Sequence, residues 1–291
     1  MSFSVITGAL ELGLIFAIMS AGIYISFRVL NIPDLTIDGS FTLGVAVSAI
    51  FAVNGLPLLG IILSLAAGAL AGCVTGFLQT KLKIQPILAG ILTMTALYSI
   101  NLHVMGRPNI PLFDKKSIFT PFEGILPKGI VVGIILLIVI VILYFFLKTQ
   151  LGMSLRATGD NEFMVRASSI SSDAMKILGL ALANSLVSLS GAVYAQYLES
   201  ADSTVGIGMM VVGLASIIIG EAIFGSKSIV RGLISAAVGA IIYRFVITFA
   251  LQIGMEAIDF KLFSALIVII AISVPVLKRY FAKRRGRNAK Y

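Results

Sequence analysis

Residues Lys148–Lys176 read KTQLGMSLRATGDNEFMVRASSISSDAMK, a polar island between two long apolar runs. It is the one long interior interruption that reads as a small folded device and not as a turn. Gly159-Asp160-Asn161 predicts a turn and a helix N-cap, because a short Asp or Asn side chain accepts the free N–H groups of a first helical turn. Glu162 then falls in that turn, where the helix dipole favours a carboxylate. Phe163, Ala167 and Ile170 follow at i, i+4 and i+7, with Met164 beside them, so the pattern predicts about three turns carrying one apolar stripe. Such a helix is far too short to cross a bilayer. Its apolar face is therefore expected either in a groove on another protein, as in helix-in-groove recognition, or against the lipid surface.

Outward from the island the chain is apolar. It has 291 residues, 58% hydrophobic and 12% charged, against about 25% charged in an average soluble domain. The expected fold class is all-α: a single polytopic helical membrane domain over 1–291, since the runs approach the roughly 20 residues that cross the hydrocarbon layer. A transmembrane β-barrel would alternate apolar and polar residues in segments of about ten, which this chain does not do. The net charge of +9 does not point to nucleic acid. Seven of the 22 Lys and Arg fall between Lys278 and Lys290, and most of the others flank apolar runs, the positive-inside pattern together with attraction to anionic lipid. The only cysteine, Cys73, lies within an apolar run, so there is no disulfide frame. The first apolar run lacks a cleavage pattern and is expected to be retained.

Nine membrane segments are expected, at about 5–27, 41–54, 58–79, 86–104, 129–147, 177–198, 206–224, 230–250 and 262–281. With the basic tail 278–291 in the cytoplasm, counting back puts 148–176 inside and the N-terminus outside. Sixteen Lys or Arg then face the cytoplasm and five the exterior, with Arg244 inside a span. The second informative stretch is Asn31-Ile-Pro-Asp-Leu-Thr-Ile-Asp-Gly-Ser40. Pro33 stops a helix, Asp34, Thr36 and Asp38 are each able to cap one, and the next apolar run is only about 14 residues. The pattern suggests a broken element that dips into the membrane and restarts as a half-helix lining a pathway or gate; the alternative is an ordinary polar turn. Gly68, Gly72 and Gly76, and later Gly232, Ala236 and Ala240, form files of small residues that let membrane helices approach closely.

No catalytic constellation or metal-ligand spacing is present. The sole histidine, His103, reads as a satisfied side chain near a span end. The stretch from Gly220 to Ser228 fails as a phosphate-binding loop, because Ser226 stands where the lysine should follow the second glycine. The chain is therefore expected to be no enzyme and to bind no cofactor or metal, with nucleotide hydrolysis left to another subunit. Ionisable residues within spans are functional candidates. Arg244 is expected either to receive a substrate carboxylate or to pair with Glu11, and Glu221 to pair locally with Arg231.

Several stretches carry a family resemblance. Gly152-x-x-x-Arg156-Ala157-Thr158-Gly159-x-Asn161, with Ala167 and Ile170, resembles the coupling segment of permeases in the branched-chain amino acid and ribose class of bacterial ABC importers. Ile32-Pro33-Asp34-Leu35-Thr36-Ile37-Asp38-Gly39-Ser40-Phe41, together with Ile87–Met94 and Leu97–Leu102, is similar to a subfamily associated with tryptophan or other aromatic amino acids. Ala167-Ser168-Ser169-Ile170 departs from the pattern, in which a glycine often precedes the isoleucine. The resemblance implies a permease subunit in a bacterial inner membrane. It implies a homodimer, cytosolic ATPase subunits that bind ATP and Mg²⁺, and an extracytoplasmic binding lipoprotein. It further implies that Gly152, Arg156, Gly159, Asp160, Asn161, Phe163, Met164, Ala167 and Ile170 serve coupling, with Arg156 holding the preceding loop. Asp34, Thr36, Asp38, Ser40, Thr93, Tyr98, Asn101 and Arg244 are the pathway candidates. An ion-coupled secondary transporter is the main rival. It would carry paired inverted repeats and membrane-embedded carboxylates.

Overall fold

Where water is excluded, backbone N–H and C=O groups must bond within their own segment, and the long apolar runs accordingly form helices. The computed structural model describes residues 3–225 and 228–255, with Asp259, 262–267, Ile269 and Ser273. α1 (Phe3–Tyr24) ends in a π-helical turn at Ile25–Val29, and is followed by α2 (Thr36–Val53), α3 (Pro57–Thr80) and α4 (Pro86–Met105). After a connection holding β1 (Asn109–Pro111) come α5 (Lys128–Lys148), α6 (Gln150–Asp160), α7 (Glu162–Ala167) and α8 (Ser172–Leu198). β2 (Ser200–Asp202), α9 (Met209–Phe224) and α10 (Ile229–Gln252) complete the described elements.

Among the described residues, seven helices are long and apolar enough to cross a membrane: α1 with its π turn, α2, α3, α4, α5, α8 and α10. The expected nine segments are therefore not all found. The segment expected at 206–224 forms a 16-residue helix, about 24 Å long and short of the ~30 Å hydrocarbon layer. The segment expected at 262–281 and the basic tail lie largely or wholly outside the described residues. A second correction concerns the break at 31–40. The restart, α2, has 18 residues and is a full candidate span, not a half-helix. The half-length helix is α9.

α2 and α8 form the middle of the bundle. In α2, 72% of the apolar window is buried, against 28% in α4, so α4 offers most of its surface to lipid or to another chain. α8 packs on α1, α2 and α3. The file Gly68-Gly72-Gly76 forms the α3 side of the α3–α8 crossing, and a Cβ at Gly72 would collide with the Leu180 carbonyl. Gly232, Ala236 and Ala240 are buried on α10, with Gly232 against the Tyr24 ring. Close approach through small residues replaces the hydrophobic drive that lipid does not supply.

The all-α expectation needs one small amendment. β1 and β2 pair antiparallel, Ile110 opposite Ala201, and tie the 106–127 connection to the end of α8. Lys128 Nζ donates to Glu199 Oε1 at 3.0 Å and the Ile118 N–H to Gln196 Oε1 at 2.8 Å, fixing the same connection. α5 and α8 run from this end of the bundle to the end that carries α6 and α7.

Candidate functional site

The polar island folds as an elbow of two helices. Thr149 caps α6, its hydroxyl accepting from the Gly152 N–H at 3.2 Å, and Asn161 caps α7, its Oδ1 accepting from the Met164 N–H at 3.1 Å. The expected cap at Asn161 is therefore present. The expected three turns are not: α7 has six residues, and Ser169 turns the chain with φ +59° before Ile170. Gly159 is no turn residue either. It lies within α6, close against the Val29 carbonyl at the end of the π turn, where a Cβ would collide.

A web of charges holds α7. Glu162 accepts from Lys176 Nζ at 2.6 Å, from Arg166 at 2.7 Å and from Ser172 Oγ at 3.2 Å. The hydrogen bond from Lys176 is the main reason the Glu162 carboxyl is held below its usual range. Arg166 also reaches Asp173, which pairs with Lys81 at 3.5 Å. Val165 is 2% exposed and anchors the helix, while Phe163 is 86% exposed and Met164 60%. Ala167 and Asp160 are exposed, Ile170 is half-buried, and Gly152 is buried against the end of α5. Arg156 is exposed on α6 and lies near enough to the Tyr24 phenol at the end of α1 to act on it electrostatically. Leu151 and Met153 on α6 are also exposed, both 52%. They lie before the capping motif that drew attention to 159–170, and α6 could have been read from the same 3.6-residue period.

The pathway candidates divide into three groups, two of them at the start of α2. Asp34 is 1% exposed; its Oδ1 accepts the Thr36 N–H at 2.9 Å and its Oδ2 accepts from Asn184 Nδ2 at 2.6 Å. Thr36 and Thr75 hydroxyls meet at 2.7 Å. This is a buried polar knot joining α2, α3 and α8, and a hydrogen-bonded carboxylate without a cation costs less than a bare one. Asn184 and Thr75 escaped the sequence reading because a lone polar residue in an apolar run shows no periodicity of its own.

Asp38 reaches from α2 to another element. Its two oxygens accept the Gly208 and Met210 N–H groups, both at 2.8 Å, at the start of α9. Thr42 Oγ1 receives the Gly206 N–H at 3.1 Å, and Gly208 turns with φ +92°. Asp38 also borders a cavity of about 250 Å³ with Tyr98, Asn101, Thr95 and Ile207. Asn101 reaches the Gly39 carbonyl at 3.2 Å. Thr93 turns back to its own Ala89 carbonyl, and the Ser40 hydroxyl is buried without a partner among the described residues.

Arg244 stands apart from all of these. It lines a second cavity, of about 550 Å³, with Phe16, Tyr194, Gly208 and Met209, and Ile207 borders both cavities. The expected Glu11–Arg244 pair does not form: Glu11 accepts from the Gly129 N–H at 2.9 Å and from the Tyr197 hydroxyl at 2.7 Å. Glu221 pairs with Arg28 and not with Arg231. His103 meets the Ser99 carbonyl at 2.8 Å, as a satisfied side chain should.

Comparison with known proteins accords with this architecture. Residues 5–273 match the family described as branched-chain amino acid transport system / permease component. The chain is 40% identical over 257 residues to the tyrosine transport system permease protein of Clostridioides difficile, covering 88% of this chain and 86% of that one. It is 27% identical over 267 residues to the ribose import permease protein RbsC of Escherichia coli K12, covering 89% and 81%. An uncharacterized protein of Rickettsia prowazekii is 32% identical over 277 residues, covering 93% and 97%. No solved structure matches the chain. With a match running through α1 to α10 and relatives aligned along most of their length, this multi-pass membrane protein belongs to the branched-chain amino acid transport system / permease component family.

Proposed function

We propose that this chain is the transmembrane subunit of an ATP-binding-cassette importer that carries an amino acid, aromatic in kind, across a bacterial inner membrane. The observation that carries this reading is the α6–α7 elbow. A chain with no partner gains nothing by holding Phe163 86% exposed and Met164 beside it on a short helix whose own Glu162 and Arg166 are clamped by Asp173 and Lys176; a subunit that must plug into another protein does. In this reading residues 148–176 dock in a groove on a cytosolic ATPase, which holds the ATP and Mg²⁺, and this chain binds neither. The tail 278–291 and the α6–α7 end face the cytoplasm, with the N-terminus outside. Two copies form the pathway, and an extracytoplasmic binding lipoprotein delivers the solute. The tyrosine system of the 40% identical relative supports an aromatic amino acid as cargo.

Phe163→Asp should leave the subunit folded and inserted, abolish its co-purification with the ATPase and stop uptake. Wild-type uptake by that variant would remove the coupling role. An ion-coupled carrier has one observation in its favour, the deeply buried Asp34, but both of its oxygens are taken by Thr36 and Asn184. Uptake that fails on ATP depletion and survives collapse of ion gradients separates the two readings.

A further inference from the structure

The larger of the two cavities is lined by a cation that has no anion among the described residues. Arg244 projects from α10, half-buried, with its Nε fully buried and unpartnered. Among the described residues the guanidinium makes no hydrogen bond and no ion pair. Its neighbours are neutral: the Phe16 ring centroid at 5.8 Å from Cζ, and the phenols of Tyr194, Tyr197 and Tyr243. Three carboxylates on other elements of the described residues make other bonds. Glu11 serves Gly129 and Tyr197, Asp202 Oδ1 serves the N–H and hydroxyl of Thr204, and Asp38 occupies the start of α9. The N-terminus of α9 thus adds no free donor from Gly208 or Met210, and the positive character of the cavity comes from Arg244.

A guanidinium held in an apolar setting without an anion is costly, and Arg offers a planar fork that matches a carboxylate with two parallel hydrogen bonds. The cavity, about 550 Å³, falls within the ~300–1,000 Å³ that suits small ligands. One wall is aromatic: Phe16 and Tyr194 stack with centroids 6.0 Å apart and planes 20° from parallel. An anion with a flat apolar body fills such a space; a bare inorganic ion leaves most of it empty.

We propose that this cavity is a binding site for the transported amino acid within the permease itself, with Arg244 taking the carboxylate and Phe16 and Tyr194 facing an aromatic side chain. This rests on the importer reading above and adds to it a selectivity determinant in the membrane subunit. A phospholipid phosphate offers related anionic chemistry, so the test must tell the two apart.

The full-length subunit in phosphatidylcholine nanodiscs should bind radiolabelled L-tyrosine and L-phenylalanine, and should bind tyramine, which lacks the carboxylate, at least about tenfold more weakly. Arg244→Ala should lose about tenfold or more in affinity for the amino acids and its preference over tyramine, with Arg244→Lys in between. The tyrosine–tyramine comparison uses the unaltered protein, so a variant that fails to fold does not leave the site untested. Equal binding of tyramine, no saturable binding, or unchanged affinity in a folded Arg244→Ala would overturn the site. So would phosphatidylglycerol that displaces tyrosine and stays bound, by native mass spectrometry, to the wild type but not to Arg244→Ala; that result assigns the anion to lipid. Cellular uptake keeps the two readings distinct. If Arg244→Ala cells take up tyrosine normally on ATP, the importer stands and the site falls; if wild-type cells take up no amino acid, the amino-acid reading itself falls.

Discussion

Gly72 and Gly133 show how much one missing Cβ can mean in this protein. Both lie inside helices, but a Cβ at Gly72 would meet the Leu180 backbone of α8, whereas nothing lies within 4 Å of one at Gly133 on α5. Gly72→Val should destabilise the folded subunit by about 1–3 kcal/mol through overpacking. Gly133→Ala should be neutral or stabilise by up to about 1 kcal/mol, through the lower entropy of alanine in a helix. Thermal unfolding in detergent reads both, and equal melting temperatures for the two variants would contradict the close α3–α8 crossing. The small-residue file was legible in the sequence because four-residue spacing of glycines in an apolar run has one economical use, helix contact. The knot around Asp34 was legible only in half. The cap-like Asn31–Ser40 stretch announced polar work, but Thr75 lies 39 residues beyond its partner Thr36 and Asn184 lies 150 beyond its partner Asp34, where helical periodicity carries no information about them.

Among the elements, α9 carries the most mechanism for its size. It is too short to span, and each end is held by a carboxylate interaction with another element: its start by Asp38 of α2, its finish by Glu221 with Arg28 of the π turn. Arg28 is next to Val29, whose carbonyl backs onto Gly159 of α6. A rigid displacement of the α6–α7 elbow therefore meets the π turn and, through Arg28, the far end of α9, whose near end lies between the two cavities. Adjacency alone does not make a pathway, and coupling energies must be measured. Arg28→Glu should abolish uptake while the ATPase still hydrolyses ATP, because it sets two carboxylates together and leaves the 12%-exposed Glu221 uncompensated, at a cost of about 1–3 kcal/mol. Adding Glu221→Arg in the same chain should restore much of the uptake. Wild-type uptake by the single variant, or no recovery in the double, would rule out α9 as the transmitting rod. Sequence reading assigned Glu221 to the nearby Arg231 because only local spacing was visible; the true partner is 193 residues away. The same blindness made a full span of 206–224, since an apolar run shows its length and not the depth at which it starts.

At the scale of the whole molecule, the distribution of charge gives the bundle a direction. The α6–α7 end carries Arg28, Lys81, Lys83, Lys148, Arg156, Arg166, Lys176 and Arg231. The β1–β2 end sets Arg107, Lys115, Lys116 and Lys128 against Asp114, Glu123, Glu199 and Asp202. Basic residues near span ends are retained in the cytoplasm, and acidic ones matter little to the choice, so the α6–α7 end should face inward. This is also what the proposed docking role requires, because cytosolic ATP is there. In a Cys73→Ala background, Glu123→Cys should react with a membrane-impermeant maleimide in intact cells, while Ser168→Cys, one residue beyond α7, should react only after permeabilisation. Saturating ATPase should then protect position 168 and leave 123 untouched. Labelling of position 168 from outside would reverse the orientation, and the exposed Phe163–Met164 pair would have to find its partner in the extracytoplasmic space, where no ATP-driven stroke could reach it.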